Sequence, residues 1–397
     1  MLTIAGNGMG DYSFKNLPLD IKEFDRVICD INFSESGENI LKLKYREAKE
    51  YILKNYEKEN ILYVVTGSPL FFSAGILIAR SIPKDKVKII DNTSSIDYLL
   101  SKLIIPKNQV SILSLHGRSR IDLKNFLTEK YTFILCDRYS IDKIREAIKY
   151  LDSSAFSVTI GYKLGYSDEV IRDIDIREEI NLDLREPYVL LIEKKFNTSP
   201  LSKDHEFKTE RGMITKEYKR NLSLQQLDLE PNQILWDIGA GSGSCAIEAF
   251  KRYRVKTILF EKNPKRCEFI RENLKSHYVC DTKLIEGKAE EYFEKIEESP
   301  DRIFIGGGGS KVIKKIPYLF NRLNKNGIIV INAITLKNLS QMISVLDSAK
   351  IPYEVISLSL TTYKGNLKLV EPERQLFQIK IWYYAPFSQG QNGLNGV

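Results

Sequence analysis

Short apolar blocks alternate with longer amphipathic stretches along most of the chain. That rhythm predicts strands and helices laid down in turn, the signature of an α/β fold. In the first half, blocks at 2–5, 26–29, 61–65, 87–90, 110–115, 132–136, 156–160 and 187–192 predict strands. Helices are expected at 45–57 and at 95–103, the second capped by Thr93-Ser94-Ser95. From about residue 120 the helical pattern thins, which predicts a second, more β-rich lobe. In the second half, strands are expected at 234–238, 257–260, 282–287, 302–305 and 327–335. An apolar-periodic helix with Tyr218, Leu222 and Leu227 opens after Thr215, and another helix begins at Pro264. Blocks at 353–360 and 375–384 suit an antiparallel pair closing the sheet. The stretch Asn197-Thr198-Ser199-Pro200-Leu201-Ser202 has linker composition. Domains are therefore expected at 1–198 and 199–390, with a disordered polar tail at 391–397.

The chemistry is concentrated where strands end. The run Trp236-Asp237-Ile238-Gly239-Ala240-Gly241-Ser242-Gly243 is strand followed by glycines at alternate positions, and Cys245 to Phe250 reads as helix. Glycine there allows turn dihedrals that a Cβ forbids and lets backbone approach a ligand. No Lys-Ser/Thr follows, so a phosphate-cradling loop is not expected. Glu261 ends the next strand about 20 residues on, placed to accept hydrogen bonds from ribose hydroxyls. Asp237 and Glu261 so spaced indicate a nucleoside site without a pyrophosphate, which suits S-adenosylmethionine (SAM). A glycine turn alone would serve packing equally well. Gly306-Gly307-Gly308-Gly309 reads as having no packing role, leaving close approach of a bulky ligand or a hinge. Asn332, at a strand end, is expected to face the site.

The first half carries its own strand-end loops. Gly6-Asn7-Gly8-Met9-Gly10-Asp11 follows the first strand, without an obvious helix after it. Thr66-Gly67-Ser68-Pro69-Leu70-Phe71-Phe72 makes a rigid loop where α/β sheets bind ligands. The two phenylalanines serve either a pocket wall or the core. Other strands end at His116-Gly117-Arg118 and Asp137-Arg138.

Length and composition narrow the class. A chain of 397 residues with 43% hydrophobic and 28% charged content is expected to be a soluble protein of two or three domains. A net charge of +7 spread along the chain fits a lysine-rich surface, or a substrate with several carboxylates, better than nucleic acid. Five scattered cysteines and three dispersed histidines predict neither disulfides nor a metal site, and point to a reducing cytoplasm. No apolar run approaches membrane-spanning length.

These residues also carry a resemblance. Ile4 to Asp11 and Val65 to Phe71 resemble the tetrapyrrole methylases, and Leu115 to Arg118 with Gly161 to Glu169 point within them to C5 methylation of precorrin-7 or cobalt-precorrin-7. Gly212 to Glu217, Trp236 to Gly243, Phe260 to Pro264 and Phe304 to Gly309 resemble the decarboxylating precorrin C15-methyltransferases. Fused in this order, the halves resemble the precorrin-6Y C5,15-methyltransferase family of cobalamin biosynthesis. The resemblance implies a two-lobed class III methylase fold followed by a Rossmann-like class I methyltransferase fold, each binding one SAM. It implies cofactor contacts from Gly67, Ser68, Pro69, Leu70, Phe71, Ser94 and Ser95 in the first half. In the second it implies Thr215, Asp237, Gly239, Ala240, Gly241, Ser242, Gly243, Glu261 and Ala289. Substrate contacts are expected from Gly8, Asp11, His116, Arg118, Gly307, Gly308 and Asn332. The chain departs from the family at Lys288, where an acid is usual, and at Asn7 and Met9, where small residues or proline are common.

Methyl transfer from a sulfonium asks the protein for position and electrostatics rather than a nucleophile. A polycarboxylate tetrapyrrole would be clamped by basic side chains, Arg118 first among them. No residue stands out for the decarboxylation. A homo-oligomer is expected, with neither nucleic acid nor membrane as partner. The alternatives are an RNA methyltransferase, an enzyme with one half kept as scaffold, and a nucleotide-binding module without turnover.

Overall fold

The structure, a computed structural model, describes residues 1–10, 12–307, 309–365 and 369–382. Asp11, Gly308, the tail and the last two positions of the strand expected at 375–384 lie outside the described residues. The chain forms two compact units. One comprises Met1–Ile121, Asn125–Lys143 and Phe156–Lys195; the other comprises Asp122–Lys124, Ile144–Ala155 and the chain from Phe196 onward.

The first unit holds two sheets. Strands β1 (Leu2–Gly6), β2 (Arg26–Cys29), β3 (Ile40–Lys42), β4 (Ile61–Val65) and β5 (Val87–Ile90) form a parallel sheet in the order β3-β2-β4-β1-β5. Helices α1 (Tyr45–Asn55) and α2 (Gly75–Ala79) lie between its strands, and α3 (Ser95–Leu103) follows β5 and leads out of the sheet. Every residue of β1 and β4 is buried, as a central parallel strand covered on both faces requires. Strands β6 (Val110–Ser114) and β7 (Tyr131–Leu135), helix α4 (Ser140–Ala147), and strands β8 (Phe156–Tyr162), β9 (Val170–Ile174) and β10 (Tyr188–Lys194) follow. The second sheet runs β6-β7-β10-β8-β9, with only β6 and β7 parallel. The β-rich lobe thus starts at Val110 rather than near residue 120, because β6 pairs with β7 and not with the first sheet.

The second unit continues with α5 (Glu217–Leu227), β11 (Ile234–Ile238), α6 (Ser244–Tyr253), β12 (Lys256–Glu261), α7 (Pro264–Ser276), β13 (Thr282–Glu286) and β14 (Arg302–Ile305). Then come α8 (Gly309–Lys314), α9 (Ile316–Arg322), β15 (Ile328–Ala333), α10 (Leu336–Ser348), β16 (Tyr353–Leu358), β17 (Thr361–Lys364), β18 (Leu369–Pro372) and β19 (Leu376–Trp382). Seven strands run β13-β12-β11-β14-β15-β19-β16; the first five are parallel and the last two pairings antiparallel.

Side chains alternate across β11. Ile234, Trp236 and Ile238 enter one core with Phe260 and Phe293, whereas Leu235 enters another with Leu224, Leu227 and Ala249. Fully burying one such apolar side chain contributes roughly 1.5–3 kcal/mol. Helix α5 departs from its expected inward face: it buries Arg220, Ser223, Leu224 and Leu227, while Tyr218 is exposed. The buried positions keep helical spacing, but two are polar and find partners in distant parts of the unit. Thr215 is not the cap of α5; Lys216 holds that position.

Candidate functional site

In the second unit the alternate glycines do what their spacing suggests. Gly239, Gly241 and Gly243 all take left-handed φ values, +75°, +62° and +76°. Gly239 and Ala240 donate their N–H groups to the Phe260 carbonyl at 3.0 and 3.1 Å, which folds the loop over β12. Gly241 N–H donates to Glu261 Oε2 at 2.9 Å, and Asn263 N–H donates to Oε1 at 2.9 Å. Each oxygen of this buried carboxylate therefore keeps a lone pair for a ligand hydroxyl. Asp237 lies on the opposite face of β11 from Trp236, and its Oδ2 accepts from Ala246 N–H at 3.2 Å. Its Oδ1 is buried without a hydrogen-bond partner. Burial pushes the Asp237 carboxyl up to about 7, with the Glu261 charge adding to the rise and the Ala246 bond opposing it.

The run of glycines after β14 has a packing role, contrary to expectation. A Cβ on Gly239 would come within 2.8 Å of Gly307 Cα, so the two loops touch backbone to backbone. Gly306 abuts the Phe304 ring, where a Cβ would sit at 3.1 Å.

A cavity of about 1070 Å³ brings together Thr215, Gly239, Ala240, Gly241, Ser242, Gly307 and Asn332. Lys216, Lys219, Arg266 and Arg374 add cationic groups to its wall. A smaller cavity of about 420 Å³ shares Gly239, Gly306 and Gly307 with it and adds Glu261 and Ala289. Asp237 and Gly243 line neither; Gly243 packs toward Leu259, Ile270 and Ile247. Asn332 is held from both ends: its Nδ2 donates to Ser223 Oγ at 3.2 Å, and its Oδ1 accepts from Gln378 Nε2 at 2.9 Å. The residues fit SAM. An added Cβ on Gly241 meets nothing nearer than 4.0 Å, and both Glu261 oxygens keep a lone pair beside the glycine loop.

The first unit has a cavity of about 990 Å³ lined by Gly8, Gly67, Ser68, Phe71, Ser94, Ser95 and His116. Its floor is again glycine on glycine. Gly8 and Gly67 exchange N–H···O bonds of 3.1 and 2.9 Å, and a Cβ on Gly6 would meet the Gly67 carbonyl at 2.4 Å. Gly67 itself, at φ +66°, faces open space. Ser68 Oγ donates to Asp91 at 2.5 Å and accepts from Leu70 N–H at 3.0 Å. Ser94 caps α3 through its bond from Asp97 N–H. Phe71 and Phe72 both line the cavity, and Phe71 also packs on Phe133, with ring centroids 5.8 Å apart.

Three candidates lie outside this cavity's wall. Pro69 is buried against Gly6, Leu70 is 59% exposed, and Arg118 is exposed with its carbonyl accepting from Lys143 Nζ. The cavity's arginines are Arg138 and Arg185.

Several residues at or beside this cavity were not among the candidates read from the sequence. Asp30 follows β2 directly, and the rule that ligands gather at strand C-termini was the signal for it. Tyr63, whose hydroxyl is pushed up to about 12 by burial and then by Asp30, lies within a fully buried strand and gave no such signal. Asn92, outside the wall, donates from Nδ2 to the Gly6 and Asn16 carbonyls and so fixes the opening glycine loop. Asp137 accepts from Gly117 N–H, Ser140 Oγ and Tyr139 N–H. Burial alone would raise this carboxyl, but those bonds hold it below its ordinary value. Among the described residues no helix is long and apolar enough to cross a membrane.

Comparison with known proteins follows the same division. Residues 206–382 match a family described as a precorrin methyltransferase domain, and residues 22–178 match the tetrapyrrole (corrin/porphyrin) methylases. The chain is 29% identical over 286 residues to a Sinorhizobium precorrin-6Y C(5,15)-methyltransferase (decarboxylating), covering 69% of this chain and 68% of that one. It is 30% identical over 169 residues to a probable cobalt-precorrin-6B C(15)-methyltransferase (decarboxylating) of Sulfolobus acidocaldarius, covering 41% of this chain and 88% of that one. A crystal structure of precorrin-6Y C5,15-methyltransferase from Geobacter metallireducens aligns at 33% identity and a TM-score of 0.45, over 47% of this chain and all of that one.

Proposed function

We propose, for a chain that belongs to the precorrin methyltransferase family, SAM-dependent methylation of C5 and C15 of a precorrin or cobalt-precorrin, with loss of the C12 acetate carboxyl. Residues 1–198 would carry the C5 step, and residues 199–390 the C15 step and the decarboxylation. The first unit has the two-lobed tetrapyrrole methylase fold and the second a Rossmann-like methyltransferase fold. The observation that carries the reading is a glycine-walled cavity in each unit, each at the C-terminal ends of parallel strands.

SAM, when bound, supplies an electrophilic methyl group for the nucleophilic ring carbon. The chain's own residues bind, orient and exclude water. In the second unit Glu261 would take the ribose hydroxyls, the Gly239 to Ser242 loop would admit the ligand against backbone, and Ala289 would face the base. In the first, Gly67, Ser68, Ser94 and Ser95 would hold the cofactor, with Phe71 closing the apolar side. Position and desolvation, rather than a protein nucleophile, would lower the barrier.

The substrate would be a polycarboxylate tetrapyrrole. Lys216, Lys219, Arg266 and Arg374 would receive its carboxylates in the second unit, and Arg138 and Arg185 in the first. The protein would act in the cytoplasm as a homo-oligomer, without nucleic acid. Its five buried free cysteines suit that compartment.

The test is the SAM-binding stoichiometry of the whole chain by calorimetry, for wild type and Gly241→Arg. Two sites falling to one is expected. A single site that survives the substitution, or one that vanishes with it, removes one half of the proposal.

A further inference from the structure

The segment 202–216 precedes α5 and bears Asp204 and the run Gly212 to Lys216, Thr215 among them, in the wall of the second unit's larger cavity. It has little regular structure of its own, a single turn at Asp204–Glu206. Buried polar side chains from the helices tie it down instead.

Arg220 makes most of these ties and is fully buried. Its Nη2 donates to the Ser202 carbonyl at 2.7 Å. Its Nη1 donates to the Thr215 carbonyl at 2.7 Å and to Asp204 Oδ1 at 3.1 Å. Its Nε donates to Glu248 Oε2 on α6 at 2.5 Å, and Phe207 lies under the guanidinium at 5.2 Å. One side chain thus touches four separate points of the segment and anchors them to α6. A planar fork of five donors can do this; an ammonium group cannot reach three carbonyl-spaced acceptors at once.

Other ties act on the same segment. Lys251 Nζ donates to Ser202 Oγ at 2.6 Å, and His277 stacks on Phe207 at 4.5 Å. Asn273, itself buried, accepts from Lys208 N–H at 2.8 Å and donates to the Lys208 carbonyl at 2.9 Å. The same Asn273 amide donates to the Ser242 carbonyl at 2.8 Å. The segment is therefore coupled to the glycine loop that forms the opposite wall.

We propose that Arg220 is a positioning residue for the second-unit site: it latches the strap 202–216 so that Asp204 and Thr215 close the cavity wall around bound SAM. This rests on the reading of the second unit as a SAM site. The strap is the movable part because its backbone is held by side chains rather than by helix or sheet ladders, so it opens before the core does.

The main test uses the full chain with Arg220→Met/Glu248→Leu. Replacing a buried ion pair by apolar residues of similar size is commonly tolerated, so the core is kept while every strap tie of Arg220 is lost. Affinity for S-adenosylhomocysteine is measured by calorimetry, and amide exchange of 203–214 by mass spectrometry. The expected result is at least a tenfold weaker second-unit site, an unchanged first-unit site, and faster exchange confined to the strap. The KM for SAM in the C15 step should rise while kcat at saturation stays within threefold. Arg220→Lys should fall between wild type and the double variant.

In wild type, S-adenosylhomocysteine should slow exchange of 203–214 more than that of α7. Wild-type affinity and exchange in the double variant, or a strap indifferent to ligand in wild type, overturns the proposal. Wild type lacking second-unit binding altogether would instead defeat the reading on which it rests.

Discussion

Gly239→Ala isolates the contact between the two glycine loops of the second unit. The new Cβ would lie 2.8 Å from Gly307 Cα and 2.9 Å from its C and N atoms. All three are backbone atoms, so no rotamer change relieves the clash and the loops must part. Forced separation of a packed site costs about 1–3 kcal/mol. The left-handed backbone at φ +75° adds about 1–2 kcal/mol for any residue with a Cβ. The expected loss is therefore about 2–5 kcal/mol of second-unit stability. Gly241→Ala is the control. It has φ +62°, but its nearest neighbour is 4.0 Å away, so only the conformational share applies, about 1–2 kcal/mol. Both tryptophans of the chain, Trp236 and Trp382, lie in the second unit, so tryptophan fluorescence, excited at a wavelength where the tyrosines do not absorb, reports that unit during urea unfolding. Equal losses in the two variants, or a larger one at Gly241, would refute the claim that the loops are held backbone to backbone.

Other substitutions probe charge and capping. Asp237 has its folded pKa raised above its unfolded value, so its contribution to stability is complete below about pH 4 and is lost as the pH climbs toward about 7. Asp237→Asn should flatten that dependence and raise the urea midpoint at pH 8; a midpoint lowered equally at pH 5 and pH 8 would count against it. Ser94→Ala removes the cap of α3 and should cost the first unit about 1 kcal/mol, read by thermal melting followed by circular dichroism. Arg138→Gln should raise the KM for tetrapyrrole in the C5 step roughly tenfold, whereas Arg118→Gln, outside the cavity wall, should leave it unchanged. Steady-state kinetics that rank the two arginines the other way would reject the assignment.

What could be read in the sequence was mostly local. The alternate glycines after β11 announce their left-handed turns because only glycine adopts them freely, and the strands announce themselves by continuous apolar runs. What could not be read depends on partners far along the chain. Arg220 and Ser223 look like solvent-facing positions of α5 until Glu248 and Gln378 are placed beside them. Ser202 closes a stretch with linker composition, yet it is 1% exposed because Arg220 and Lys251 reach it. The glycines after β14 seem free of packing duty because their neighbour, Gly239, is almost 70 residues upstream. Arg118 and Arg138 both follow strand ends in the sequence, and only the fold separates the one that reaches the cavity from the one that does not.

The order of strands in the second sheet has a consequence for when the protein becomes active. Strand β19 lies between β15 and β16, both of which precede it in the chain. During synthesis those two strands must therefore wait side by side without pairing, their facing edges open to any other strand that arrives. Gln378, on β19, is also the residue that fixes the Oδ1 end of Asn332 in the cavity wall. A ribosome that stalls before Leu376, or a protease that trims back to it, would leave a chain with every glycine loop in place and the second site still unfinished.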